Sequence, residues 1–138
     1  MPVKAFVDSN VLLYAAVQDT GEPRCAAALS FIQSCSDSLT ISVQVVNEFC
    51  SVLLRKGVAD ARIQRLLEGI LTDVHCADLT TDTVLLCWRL RGRYAYSYYD
   101  SLILASAVEN GCTKLYSEDF QHGQVIQRSL RIINPFAP

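Results

Sequence analysis

Four acids in this sequence stand where a carboxylate needs a reason. Asp8 follows the apolar run "KAFV", and Glu48 falls inside the apolar-periodic stretch "VNEFCSVLLRKG". Asp100 opens "DSLILASAVENG", and Asp119 comes directly after "KLYSE". Asp100 has Ile103, Leu104 and Ala107 at i+3, i+4 and i+7, the face expected to turn inward. Glu48 has Val45 and Val52 as its i−3 and i+4 neighbours, at the margin of an apolar stripe. An ionised carboxylate facing inward is costly unless it is paired or metal-bound. No Lys or Arg lies one helical turn from Glu48 or Asp100. A shared divalent cation would satisfy all four through oxygen ligands.

Each acid also has a plainer reading. Asp8 and Asp100 are well placed to cap the helices that follow them. Asp119, in "EDFQHG", is of a type common in turns. Asn10 and Ser117 each lie two residues from an acid; either could orient that carboxylate or make local capping and turn bonds. The metal reading rests on convergence, which depends on the elements that carry these residues.

Residues 3–7 read as a buried strand and 10–18 as a short helix. "GEP" at 21–23 is a turn, with Pro23 opening a helix through "RCAAALSFIQSC". "LTISV" is a second strand; Gln44 to Lys56 is a helix stopped by Gly57, and Asp60 is expected to cap "ARIQRLLEGILT". "VHCADL" is a third strand and "TDTVLLCWRLRGRY" a helix. The Asp100 helix ends on Gly111, and "TKLYS" and then "LRIIN" follow as strands, the latter at the sheet edge. Strands alternating with helices imply an α/β fold, with a mostly parallel sheet of four to five strands flanked by helices. In such a sheet, strand ends and the helix starts after them share one edge, where ligands bind.

The 138 residues suit one domain, 1–138, and 51% apolar content is enough to fill its core. No apolar stretch approaches the roughly 20 residues of a membrane helix. A strand-like start without a basic leader points to a soluble, cytoplasmic protein. Six cysteines, none in a CxxC pair, read as reduced thiols. Two histidines are too few for a His-rich metal site. A formal net charge of −2 argues against a broad phosphate-binding surface. A local patch is nonetheless present: "WRLRGRYAYSYYD" carries Arg89, Arg91 and Arg93 among tyrosines, a composition suited to single-stranded nucleic acid and equally to a solvated helix face. Arg55 and Lys56 either extend that patch or favour a helix C-terminus.

"FVDSNVLLYA", "VNEFCSVLLRKG", "YYDSLILASAVENGC" and "LYSEDFQHG" resemble, in order and spacing, the four acidic motifs of PIN-domain ribonucleases, and among them the VapC-type toxins of toxin–antitoxin pairs. The resemblance implies that Asp8, Glu48, Asp100 and Asp119 bind Mg2+ or Mn2+, with Asn10 and Ser117 beside them. It also implies cleavage of RNA, a homodimer, and inhibition by a small antitoxin protein whose tail enters the active-site groove. Rival readings are a haloacid-dehalogenase-like phosphohydrolase, which wants an acid where Asn10 stands, and a receiver domain around Asp78. A nuclease-dead PIN scaffold is the third.

Overall fold

The computed structural model describes residues 3–138. The chain forms β1 (Lys4–Val7), α1 (Ser9–Ala16), α2 (Pro23–Ser34), β2 (Ser38–Ser42), α3 (Val43–Arg55) and α4 (Asp60–Asp73). It continues through β3 (His75–Ala77), α5 (Thr81–Tyr94), α6 (Tyr98–Glu109), β4 (Lys114–Tyr116), β5 (Val125–Ile126) and β6 (Leu130–Ile133). The strands form one sheet in the order β3-β2-β1-β4-β6-β5, parallel except for the β5–β6 pair.

The predicted α/β class holds, and the sheet carries one more strand than the four to five expected. The addition is β5, whose two residues are too short to show a period. It takes the edge, so "LRIIN" is an inner strand rather than the edge strand predicted from sequence. The Asp60 cap is also corrected. Ala59 holds the cap position, Asp60 is the first helical residue, and no side chain caps α4.

Strand order fixes where a site can form. From β1 the chain moves one way, through β2 to β3, then returns across β1 to β4 and on to β6. The direction reverses between β1 and β4, and in open α/β sheets a crevice opens beyond the strand ends at such a point. Phe6 and Val7 of β1 and Leu115 of β4 are fully buried, so these two strands are anchored in the core. The Asp8 N–H donates to the Tyr116 carbonyl at 3.0 Å, holding the two ends together just before the crevice.

Two helices present their starts to the same edge. Ser42 caps α3 by accepting from the Val45 N–H at 3.3 Å, and Val45, Phe49 and Leu53 bury the i, i+4, i+8 stripe. Gly57, at φ +77°, ends that helix in a conformation only glycine adopts freely. In α6 every residue from Ser101 to Ala107 is buried, so its exposed start carries Asp100 on a fixed axis. No helix among the described residues is long and apolar enough to cross a membrane.

Candidate active site

Asp8 is both things its position allowed. It caps α1, its Oδ1 accepting from the Ser9 N–H at 2.7 Å, and it also anchors a polar network at the sheet edge. Its Oδ2 accepts from the Ser117 hydroxyl at 2.8 Å and, more distantly, from Asn10 Nδ2 at 3.4 Å. The same Asn10 nitrogen lies 3.0 Å from Asp119 Oδ2 and 3.2 Å from Ser117 Oγ. The Ser117 hydroxyl also accepts from the Asp119 N–H at 3.1 Å. Asn10 and Ser117 thus tie the ends of β1 and β4 into one unit, as residues two positions from each acid can.

Glu48 joins from α3. Its Oε2 accepts from the Ser9 hydroxyl at 2.9 Å and its Oε1 from Gln44 Nε2 at 3.0 Å. Sequence reasoning missed both donors. Ser9 stands beside the capping Asp8, yet its side chain reaches a residue 39 positions away. Gln44 lies one helical turn before Glu48, and that i,i+4 spacing was the available signal. Asp100 is the third residue of α6, half-buried, with its N–H donating to the capping Ser97 hydroxyl at 3.2 Å. It hydrogen-bonds to none of the other three acids but lies in the field of Asp119 and Glu48.

The electrostatics separate Asp8 and Asp100 from ordinary surface carboxylates. Only 3% of Asp8 is exposed. Burial pushes its carboxyl up to about 7; the Ser117 and Ser9 hydrogen bonds oppose this, while the charges of Glu48 and Asp119 add to it. Asp100 is raised too, by burial first and then by Asp119 and Glu48, against the Ser97 bond. None of the four acids takes part in an ion pair among the described residues.

The donor set is all oxygen, with no thiol or imidazole, and it concentrates negative charge without a protein cation. Those are the properties of a site for a hard divalent ion. As placed, the carboxylates are turned to hydrogen-bond Ser9, Asn10, Gln44 and Ser117, and no three His, Cys, Asp or Glu side chains among the described residues stand ready to hold a metal. The donor types are those that suit Mg2+ or Mn2+.

None of the three α5 arginines hydrogen-bonds to this network, and Arg91 does not share a helix face with Arg89 and Arg93. Arg89, Arg91 and Arg93 are exposed near the end of α5; Arg91 donates to the Tyr96 carbonyl at 2.7 Å, and Arg93 lies 5.5 Å from the Tyr94 ring centre. Tyr94 and Tyr96 are structural, their hydroxyls accepting the Gln127 and Gln121 N–H groups. Beside the acids, an open groove of about 680 Å3 runs past Ser9, Glu48, Ser51, Arg55 and Tyr99. Arg55 and Tyr99 are a cation and an exposed aromatic lining the groove beside Glu48.

The PIN-domain family model matches residues 5–125. The chain belongs to the PIN-domain family. That membership sets aside the phosphohydrolase and receiver readings, and no curated protein matches the chain. Among solved structures it is similar to VapC20 of Mycobacterium tuberculosis, described as a sarcin–ricin loop cleaving toxin. Identity there is 21% over 83% of this chain and 91% of that one, with a TM-score of 0.69. A toxin–antitoxin complex from Klebsiella pneumoniae aligns at 17% identity over 96% and 98%, TM-score 0.73. VapBC2 of Rickettsia felis, bound to a DNA fragment from its promoter, aligns at 16% over 96% and 100%, TM-score 0.67. At these identities the likeness is one of fold. Within it, this PIN domain places Asp8 and Asp119 in one hydrogen-bonded unit at the sheet's switch point, with Glu48 and Asp100 on the helices beside it.

Proposed function

We propose that this PIN domain is a metal-dependent endoribonuclease, the toxin of a toxin–antitoxin pair. The observation that carries the reading is Asp8, a buried carboxylate without a cationic partner, in the field of other acids at the sheet's switch point. A structural capping residue has no need of that surrounding charge.

Asp8, Glu48, Asp100 and Asp119 would hold Mg2+ or Mn2+. When bound, the cation supplies a polarised phosphodiester and a water of lowered pKa. The chain's own residues do the positioning. The Ser9 N–H and the Ser117 hydroxyl each fix one oxygen of Asp8, and Asn10 sets the spacing between Asp8 and Asp119. The Ser9 hydroxyl and Gln44 fix Glu48. Along the groove, Arg55 would meet a backbone phosphate and Tyr99 would stack a base, contacts that suit single-stranded RNA. Arg89, Arg91 and Arg93 would add contacts further along the strand.

Two partners accompany this reading. Leu85 and Trp88, one turn apart on α5, are 58% and 56% exposed, which suits a homodimer contact. A small antitoxin protein is supported by the toxin–antitoxin complexes among the solved likenesses. On this reading the protein would act on RNA in the cytoplasm.

The test is cleavage of structured and unstructured RNA in Mn2+ and in EDTA. Cleavage should require the metal and return when it is restored. Cleavage that survives chelation yet is lost in Asp8→Asn would contradict the metal role, and no cleavage of any RNA would favour the scaffold reading. Arg89→Ala with Arg93→Ala should reduce the salt slope of RNA binding by roughly 1–2 without changing Mn2+ binding. An unchanged slope would leave that face merely solvated.

A further inference from the structure

The loop that begins at the end of β4 holds two adjacent acids with opposite surroundings. Asp119 faces the site. Glu118 faces away, and its partners come from elements remote in sequence. Glu118 Oε1 accepts from the Tyr14 hydroxyl at 2.7 Å, and Oε2 from Arg24 Nη1 at 3.0 Å. Arg24 is itself held in a fork by Glu22, Nε to Oε1 at 2.8 Å and Nη2 to Oε2 at 3.0 Å. Its guanidinium lies 4.8 Å from the centre of the Tyr14 ring, which also forms an edge-to-face pair with Phe136 at 5.4 Å.

These contacts share one geometry. Tyr14 is four residues after Asn10, on the same face of α1. Asn10 holds the Asp119 carboxylate with its Nδ2 at 3.0 Å and accepts the Glu118 N–H with its Oδ1 at 3.4 Å. One face of α1 therefore grips successive residues of the β4 loop, Asn10 on the site side and Tyr14 on the far side. Arg24, at the start of α2, closes over Glu118. Asp119 is exposed, so its carboxylate is aimed by hydrogen bonds to this loop rather than by burial.

We propose that Tyr14, Arg24 and Glu118 form a clamp that positions Asp119, setting the affinity of the site for its cation without touching the cation or the RNA. The role rests on the reading of Asp119 as part of a metal site. Surface ion pairs usually contribute little, since each long side chain must be ordered anew. Here the Glu22 fork and the Tyr14 ring already order Arg24, so the Glu118 contact costs little further ordering. Supporting partners of a metal ligand typically change affinity 10- to 100-fold, and a partner acting through the neighbouring residue belongs near the lower figure.

The experiment uses Glu118→Gln, Tyr14→Phe and the double variant, with Asp8→Asn as reference. Two readouts are taken on folded protein, confirmed by melting: amide hydrogen exchange of residues 117–120 without metal, and Mn2+ binding followed by the loss of the free-ion paramagnetic signal. Exchange at 117–120 should quicken in both single variants. Mn2+ affinity should fall roughly tenfold, with the double variant no worse than the worse single, because the residues act as one unit. The RNA KM at saturating Mn2+ should stay put. Unchanged exchange overturns the clamp. Quicker exchange with unchanged Mn2+ affinity, when Asp8→Asn lowers that affinity, also overturns it, leaving a structural tie alone. If Asp8→Asn itself leaves Mn2+ binding unchanged, the metal reading fails, and the exchange readout still decides whether residues 117–120 are clamped.

Discussion

Just ahead of β2, Asp37 accepts from Lys114 Nζ at 3.2 Å and from the Tyr116 hydroxyl. Its carboxyl is held below the usual range, by the Tyr116 bond first and then by Lys114, against the pull of burial. At the opposite edge of the same sheet, Asp8 is more deeply buried, accepts only from neutral donors and is pushed up to about 7. One carboxylate has its charge answered by the protein and the other has not. A fold can answer a buried charge cheaply when the partner sits on a strand within side-chain reach, as Lys114 of β4 does from beyond β1. Where it gathers several acids and provides no cation, it gives up stability, and such concentrations of cost are expected at functional sites.

The largest effect should come from removing the unanswered charge. Asp8→Asn keeps the shape and one accepting oxygen for the Ser9 N–H while removing the charge, and cleavage should fall by more than roughly 100-fold, beyond the loss typical of a supporting residue. Metal-free stability should move the other way. A carboxyl raised from 3.8 to about 7 on folding binds its proton more tightly in the native state. Its favourable contribution is complete below about 4 and is lost as pH rises through about 7. In EDTA the wild type should therefore lose stability between those limits, by up to about 4 kcal/mol from this group. Asp8→Asn should flatten that slope and melt no lower than wild type at pH 8. A variant that melts lower at pH 8 in EDTA would make Asp8 a cap and little else.

How much of this contrast was written in the sequence differs between the two edges. Asp8, Glu48, Asp100 and Asp119 were legible because each interrupts or borders an apolar period, and a period of 2 or 3.6 shows which side a residue takes. Asn10 and Ser117 were legible by proximity to them. The partners that define each environment were not. Asp37 and Tyr116 are 79 positions apart, Tyr14 and Glu118 are 104 apart, and local patterning carries no information at that range. The tyrosines among the α5 arginines were open to two readings, and tertiary bonds to Gln127 and Gln121 decided for Tyr94 and Tyr96. Two-residue β5 was invisible for want of length, and its presence moved "LRIIN" inward.

The second effect sharpens the contrast from the ligand's side. Mn2+ at about 100 times its dissociation constant should stabilise the wild type by about 2.7 kcal/mol, because it binds only the folded state. Asp8→Asn should lose most of that gain, and Asp37→Asn should keep all of it. Melting curves of the three proteins, with and without Mn2+, make the comparison. An equal gain in wild type and Asp8→Asn would mean that the ion binds elsewhere.

The smallest effect tests the answered edge. Asp37→Asn removes the charge that Lys114 pairs with but leaves an oxygen for the Tyr116 hydroxyl, so one of two contacts survives. The Lys114 side chain is 36% exposed, and water takes over part of what the pair provided. The expected cost is about 1 kcal/mol at pH 7, a fall of a few degrees in melting temperature. The pH dependence runs opposite to that of Asp8. A carboxyl whose folded value is depressed contributes above its unfolded value near 4 and loses that contribution as pH falls further. The gap between wild type and Asp37→Asn should thus close in acid, whereas the Asp8→Asn gap opens towards pH 8. Urea melts at pH 3, 5 and 8 would separate the two trends, and RNA cleavage by Asp37→Asn should match wild type throughout. A loss of cleavage in Asp37→Asn larger than its loss of folded protein would mean the two edges are coupled, and the division between an answered and an unanswered edge would fall.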